Sequence, residues 1–175
     1  MPVTEQRQIM NVIAKAVLDA VLIAEGSVKA EAVLQGHVDT GAMVKTMKHE
    51  IVFDERTAKG IVFAEDYSVY VNVGVKAERV RYPIKVMIAW WRRKGLPTLE
   101  ATRAAYATRA KHEREGIPTV NSRRFSKTGK RLGFVQDGLD KVKTEMEKVF
   151  SARLDMEFDI ILNRQIVIDP ILIKL

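Results

Sequence analysis

The side chains able to carry reaction chemistry are few and scattered along this sequence. Its three histidines, His37, His49 and His112, have no partner at metal-ligand spacing, and no HExxH segment or i,i+4 histidine pair occurs. With no cysteine, the chain lacks disulfides, thiolate zinc sites, iron–sulfur clusters and thiol nucleophiles together, which suits a reducing interior or a particle assembled inside one. Carboxylates recur at Glu145/Glu147 and Asp155/Glu157/Asp159. At i,i+2 on a strand they share one face, which is also the ordinary solvent face of an amphipathic strand. Ten glycines occur, but never as GxGxxG, GxxxxGK[ST] or GxSxG, so neither a phosphate cradle nor a nucleophile elbow is visible. These spacings do not argue for an enzyme, and no catalytic, cofactor-binding or metal-ligating residue is expected.

Charge is more informative. Of the net +7, residues 1–75 carry −3, residues 76–133 carry +12 and residues 134–175 carry −2, so the whole excess sits in the middle. Two tracts hold much of it: Trp90-Trp91-Arg92-Arg93-Lys94, and Arg123, Arg124, Lys127, Lys130 and Arg131, with no acid between Ile117 and Gln136. Such a block reads either as a solvated segment or as a surface facing nucleic acid or an acidic partner. Trp90 and Trp91 could stack bases beside those cations, although helix anchoring is the commoner use of such a pair.

The elements that would position these groups follow from periodicity and punctuation. At 175 residues, 47% hydrophobic, the chain has the size of one domain with a sizeable core. Without 18 consecutive apolar residues no membrane span is expected, and no basic stretch leads into an apolar core at the start as a secretory signal requires. Thr4 caps a helix over 5–25, with Ile9, Ile13, Ala16, Ala20 and Ala24 at helical spacing. Gly26-Ser27 breaks or kinks it before a shorter stretch, 28–35, that ends at Gly36. Asp39-Thr40-Gly41-Ala42 starts a short helical turn. Ile51–Phe53 and Ile61–Ala64 flank a polar turn and read as a hairpin. In Tyr67–Val75 the alternation of Val69, Val71 and Val73 with Ser68, Tyr70 and Asn72 predicts a third strand.

Pro83 opens a helix that ends at Gly95, and Thr98 caps another that reaches Gly116. Residues 119–131 read as a long basic loop, of the kind that is functional or disordered when it occurs inside a domain. A last helix spans about 139–150. Over 153–163 the alternation favours a strand, though Leu154, Phe158 and Ile161 would also continue a helix. The expected architecture is α+β: a long N-terminal helix, an antiparallel sheet of three to four strands packed by two to three helices, a long basic loop, and an extended C-terminal tail. Residues 1–163 form the domain, and 164–175 an apolar tail needing a surface to lie on.

The order of features resembles the tail-completion, or neck, family of tailed bacteriophages, which are head–tail connectors and minor tail proteins. Thr40-Gly41 matches the family's TGxLxxS segment, Tyr67/Tyr70/Gly74 its Y-x-x-Y-V-x-x-G strand, and Ile84/Trp91/Lys94/Gly95 its I-x-x-W…(K/R)-K-G helix. The likeness covers roughly residues 5–150. The family's Arg-Pro-Phe segment before the last helix is not matched, since Arg124-Phe125 lacks the proline.

This resemblance implies a structural virion protein, assembled in the host bacterial cytoplasm, that forms a six- or twelve-fold ring at the head–tail junction. DNA passes through the lumen, and portal, adaptor or tail-tube proteins are the neighbours. Arg92, Arg93, Lys94, Arg123, Arg124, Lys127, Lys130 and Arg131 are then candidates for facing DNA or a partner. Tyr67, Tyr70, Ile166, Ile168, Ile171 and Ile173 are candidates for subunit contacts. The alternative is a non-catalytic nucleic-acid-binding protein that uses the basic middle third.

Overall fold

The computed structural model describes the backbone of residues 3–54 and 56–172, and side chains from 6 to 161 apart from 55. In chain order the elements are helix α1 (Val3–Leu34), α2 (Ala42–Thr46), strands β1 (Lys48–Phe53) and β2 (Ala58–Phe63), α3 (Tyr67–Val73), α4 (Ile84–Arg93), α5 (Thr98–Glu115) and α6 (Phe134–Leu172). Short 3-10 helices occupy Ala77–Arg79 and Val120–Phe125. The class is α+β, and the described sheet has two strands. The elements divide into two units, residues 1–31, 40–65 and 135–175, and residues 32–39 and 66–134.

In the first unit α1 and α6 run antiparallel. Glu31 pairs with Lys141, Asp19 with Arg153 at 2.6 Å, and Lys15 with Glu157 at 3.0 Å. Steps of twelve and then four residues along α1 are matched by twelve and four along α6, so a single register holds throughout. α1 does not break at Gly26-Ser27. The Ser27 hydroxyl donates to the Gly138 carbonyl at 2.7 Å, and a Cβ at Gly138 would lie 2.9 Å from Val28 Cα. The bare glycine therefore sets the helices' closest approach, and α1 gains packing by continuing through what local propensity marks as a stop.

Met10, Val12, Ala16, Val21, Ala24 and Val28 form the buried stripe of α1, joined by Met43 of α2 and by Met47. The hairpin lies on the same helix, with Gly60 against Val17 and Val21 and His49 Nδ1 2.5 Å from a Glu25 carboxylate oxygen. Ile51 pairs with Gly60. The turn is shorter than expected because the Asp54 carboxylate accepts from the Arg56 and Thr57 amides at 2.7 and 2.8 Å.

The strand expected over 153–163 is instead part of α6. Leu154, Phe158 and Ile161 are half-buried while Met156 and Ile160 are exposed, which is helical rather than alternating burial. The extended tail expected from residue 164 is likewise helical to Leu172.

In the second unit α4 packs on α5. Ala101 and Ala105 are fully buried, and the Trp91 indole N–H donates to Thr108 Oγ1 at 3.0 Å. Phe134, Gln35 and Val80 are the largest fully buried side chains of this unit. The third strand expected at Tyr67–Val75 does not form: residues 67–73 form α3, and of these only Ser68 is buried. An alternating segment needs a neighbouring strand edge to become sheet, and here only Val75 bridges, to Ile117. Residues 119–131 are also no open loop, since Val120–Phe125 form the 3-10 helix.

Candidate partner-facing surface

The basic segment is fastened to the end of α1. The Lys127 amide donates to the Leu34 carbonyl at 2.8 Å, and the Ser126 hydroxyl to the same oxygen at 3.5 Å. Those carbonyls are the orphan acceptors of a helix C-terminus, so the segment caps the helix as it passes. Gly36 makes the approach possible: its φ is +77°, and a Cβ there would lie 2.5 Å from the Phe125 carbonyl oxygen and 2.9 Å from an Arg131 guanidinium nitrogen.

This anchoring sorts the cations. Arg123, Arg124 and Lys127 are exposed, and among the described residues none has an ion-pair partner. Lys130 is exposed too. Arg131 is half-buried against Gly36 and His37, and burial lowers its pKa. It is a packing residue rather than part of a surface. Arg92 is exposed at the end of α4, whereas Arg93 and Lys94 are held on Asp39 at 2.5 and 3.1 Å. Burial pushes the Asp39 carboxyl up, but hydrogen bonds from Arg93 and Lys94 outweigh it and hold it below its ordinary value. Thus Arg123, Arg124 and Lys127 are exposed cations of one segment, Arg93 and Lys94 are exposed but paired with Asp39, and Arg131 is half-buried.

Trp90 and Trp91 offer no stacking platform. Their rings meet edge to face at 4.7 Å, Lys94 lies 5.4 Å above Trp90, and Trp91 is committed to Thr108. Tyr67 and Tyr70, expected on opposite faces of a strand, share one side of α3 at i,i+3. Tyr70 is 63% and Val73 69% exposed, so this helix turns an aromatic and aliphatic face outward. Val52, Phe53, Ile61 and Phe63 of the hairpin are exposed as well. Side chains of Ile166, Ile168, Ile171 and Ile173 lie outside the described residues.

His37, which sequence alone marks as a surface or loop histidine, is instead desolvated. Its ring centroid is 5.6 Å from that of Phe134, and burial, with the Arg131 charge adding to it, lowers its pKa to about 4. The only sequence signal was a lone histidine directly after a helix-ending glycine. A base that is neutral when folded and charged when unfolded takes up protons on unfolding, so stability is complete above about pH 6.5 and declines as pH falls toward 4. The urea midpoint of the wild type is expected to drop more between pH 7 and pH 4.5 than that of His37→Gln. Equal drops would mean that this ring is not what titrates.

Tyr82 Oη and His112 Nδ1 sit 3.0 Å apart, with burial raising the phenol pKa and lowering the imidazole pKa. They join the segment before α4 to α5. Among the described residues no group of three or more His, Asp or Glu side chains could hold a metal ion, and no helix is long and apolar enough to cross a membrane. The chain matches no protein-family model, no curated protein and no solved structure.

Proposed function

We propose that this chain is a structural subunit of a tailed-bacteriophage virion, without catalysis, forming a ring at the head–tail junction through which DNA passes. The observation that carries the reading is the outward apolar face of α3. Tyr67, Tyr70 and Val73 stand exposed on less than two helical turns, next to Leu132, whose side chain approaches Gly74. A protein that works alone has little use for such a patch, whereas a ring subunit needs two complementary faces of this kind. The same Tyr67/Tyr70/Gly74 trio matches the neck-protein motif by residue type, although here it lies on a helix where that motif is a strand. Portal, adaptor or tail-tube proteins are the neighbours in this reading, and DNA in the lumen meets cations without sequence preference, as sliding requires.

The exposed trio Arg123, Arg124 and Lys127 also favours a second reading, a sequence-independent nucleic-acid binder. The engagement of both tryptophans in packing weighs against the version that stacks bases.

Light scattering on the purified protein distinguishes the two. The ring reading predicts six or twelve times the 19.8 kDa chain mass, about 119 or 238 kDa. A single-chain mass at every concentration, with DNA bound at physiological salt, would favour the binder.

A further inference from the structure

The 3-10 helix Val120–Phe125 is cationic and apolar at once. Val120 is 68% and Phe125 64% exposed, and the Arg124 guanidinium lies 4.8 Å over the Phe125 ring. Arg123 and Lys127 add two more cations. Phosphate binding uses charge and gives Val120 and Phe125 nothing to bury against, whereas a partner offering carboxylates interleaved with aliphatic groups satisfies both.

Such a surface exists on α6. Asp155 and Asp159 form one i,i+4 row and Met156 and Ile160 the row beside it, and all four are exposed. The intervening Arg153 and Glu157 turn the other way, toward Asp19 and Lys15 of α1. Among the described residues Asp155 and Asp159 have no ion-pair partner. The carboxylates of one row are about 5–6 Å apart at Cβ, within reach of two long flexible cationic side chains.

We infer that the Val120–Phe125 face of one copy docks on the Asp155/Met156/Asp159/Ile160 stripe of a second copy. This rests on the ring reading above and adds to the outward face of α3 one specific pair of faces that join. Because the two faces differ, the contact is head-to-tail, the kind that closes into a ring when the rotation between neighbours permits. Two attractive charges and two apolar contacts across the same few ångströms also make the pairing selective, since a shift of register takes the cations off the carboxylates.

The test is a charge swap read by light scattering on the full chain. Arg123→Glu/Arg124→Glu alone, and Asp155→Lys/Asp159→Lys alone, each place like charges across the contact. Each is expected to weaken self-association at least about a hundredfold. Both pairs in one chain restore attraction, and so does an equimolar mixture of the two single-face variants, as an alternating assembly with an even number of copies. Circular dichroism verifies folding, and if a lysine or glutamate variant does not fold, the milder Arg123→Gln/Arg124→Gln and Asp155→Asn/Asp159→Asn pairs take its place, with a smaller expected loss, about tenfold. Wild-type assembly that survives either swap, or a folded double swap that stays dissociated, overturns the pairing and leaves the ring reading standing. Failure of the wild type itself to associate overturns both.

Discussion

Phe134→Ala is expected to destabilise the protein by about 3–5 kcal/mol, read as a fall in the urea midpoint at constant slope. Phe134 is the largest side chain with no exposed surface. It sits where the basic segment ends, one residue after Gly133 donates its amide to the Asn72 carbonyl at 2.8 Å, and its ring faces His37. Truncation therefore opens a cavity beside a histidine and an arginine that are already costly to bury, and water entering it would ease their charging. A loss below about 1 kcal/mol would mean that the site collapses without consequence and that this residue is not a keystone of its unit.

The second large effect concerns the same segment, but binding rather than stability. Reversing Arg123, Arg124 and Lys127 to glutamate is expected to change stability by no more than about 0.5 kcal/mol, because all three side chains are exposed and make no ion pair among the described residues. The segment stays fastened through backbone atoms, chiefly the Lys127 amide on Leu34. Self-association should weaken, and its decline with rising salt should disappear, since the attraction between the Arg123/Arg124 face and the Asp155/Asp159 stripe is what salt screens. Arg131→Glu is expected to behave oppositely, lowering stability with little change in salt slope, since its guanidinium is packed against Gly36. Salt slopes that respond equally to the two variants would show that the exposed and buried cations are not separate in function.

How far the sequence revealed this arrangement depended on whether local rules settled each segment. α4 and α5 start at or beside Pro83 and Thr98 and stop near Gly95 and Gly116, and such punctuation survives tertiary context. The hairpin was legible for the same reason. Tyr67–Val73 was not, because the series Val, Tyr, Val, Asn, Val satisfies a strand's alternation, while without a partner edge those residues take helical geometry with their apolar side chains outward. At 153–163 both patterns were present, and what decides is remote: Arg153 and Glu157 meet Asp19 and Lys15 more than 130 residues away. The cationic surface was legible as composition only. Which of its members are available depends on Asp39, which takes up Arg93 and Lys94, and on Gly36, which admits Arg131, and neither contact leaves a mark at short sequence spacing.

Where the chain sits in a particle tests the proposed ring most directly. Electron cryo-microscopy of tailed virions containing it should place its α1–α6 pair and hairpin in a closed ring coaxial with the tail, between portal vertex and tail tube, in six or twelve copies around the DNA. Intact, DNA-retaining particles that lack this chain at the junction would contradict it.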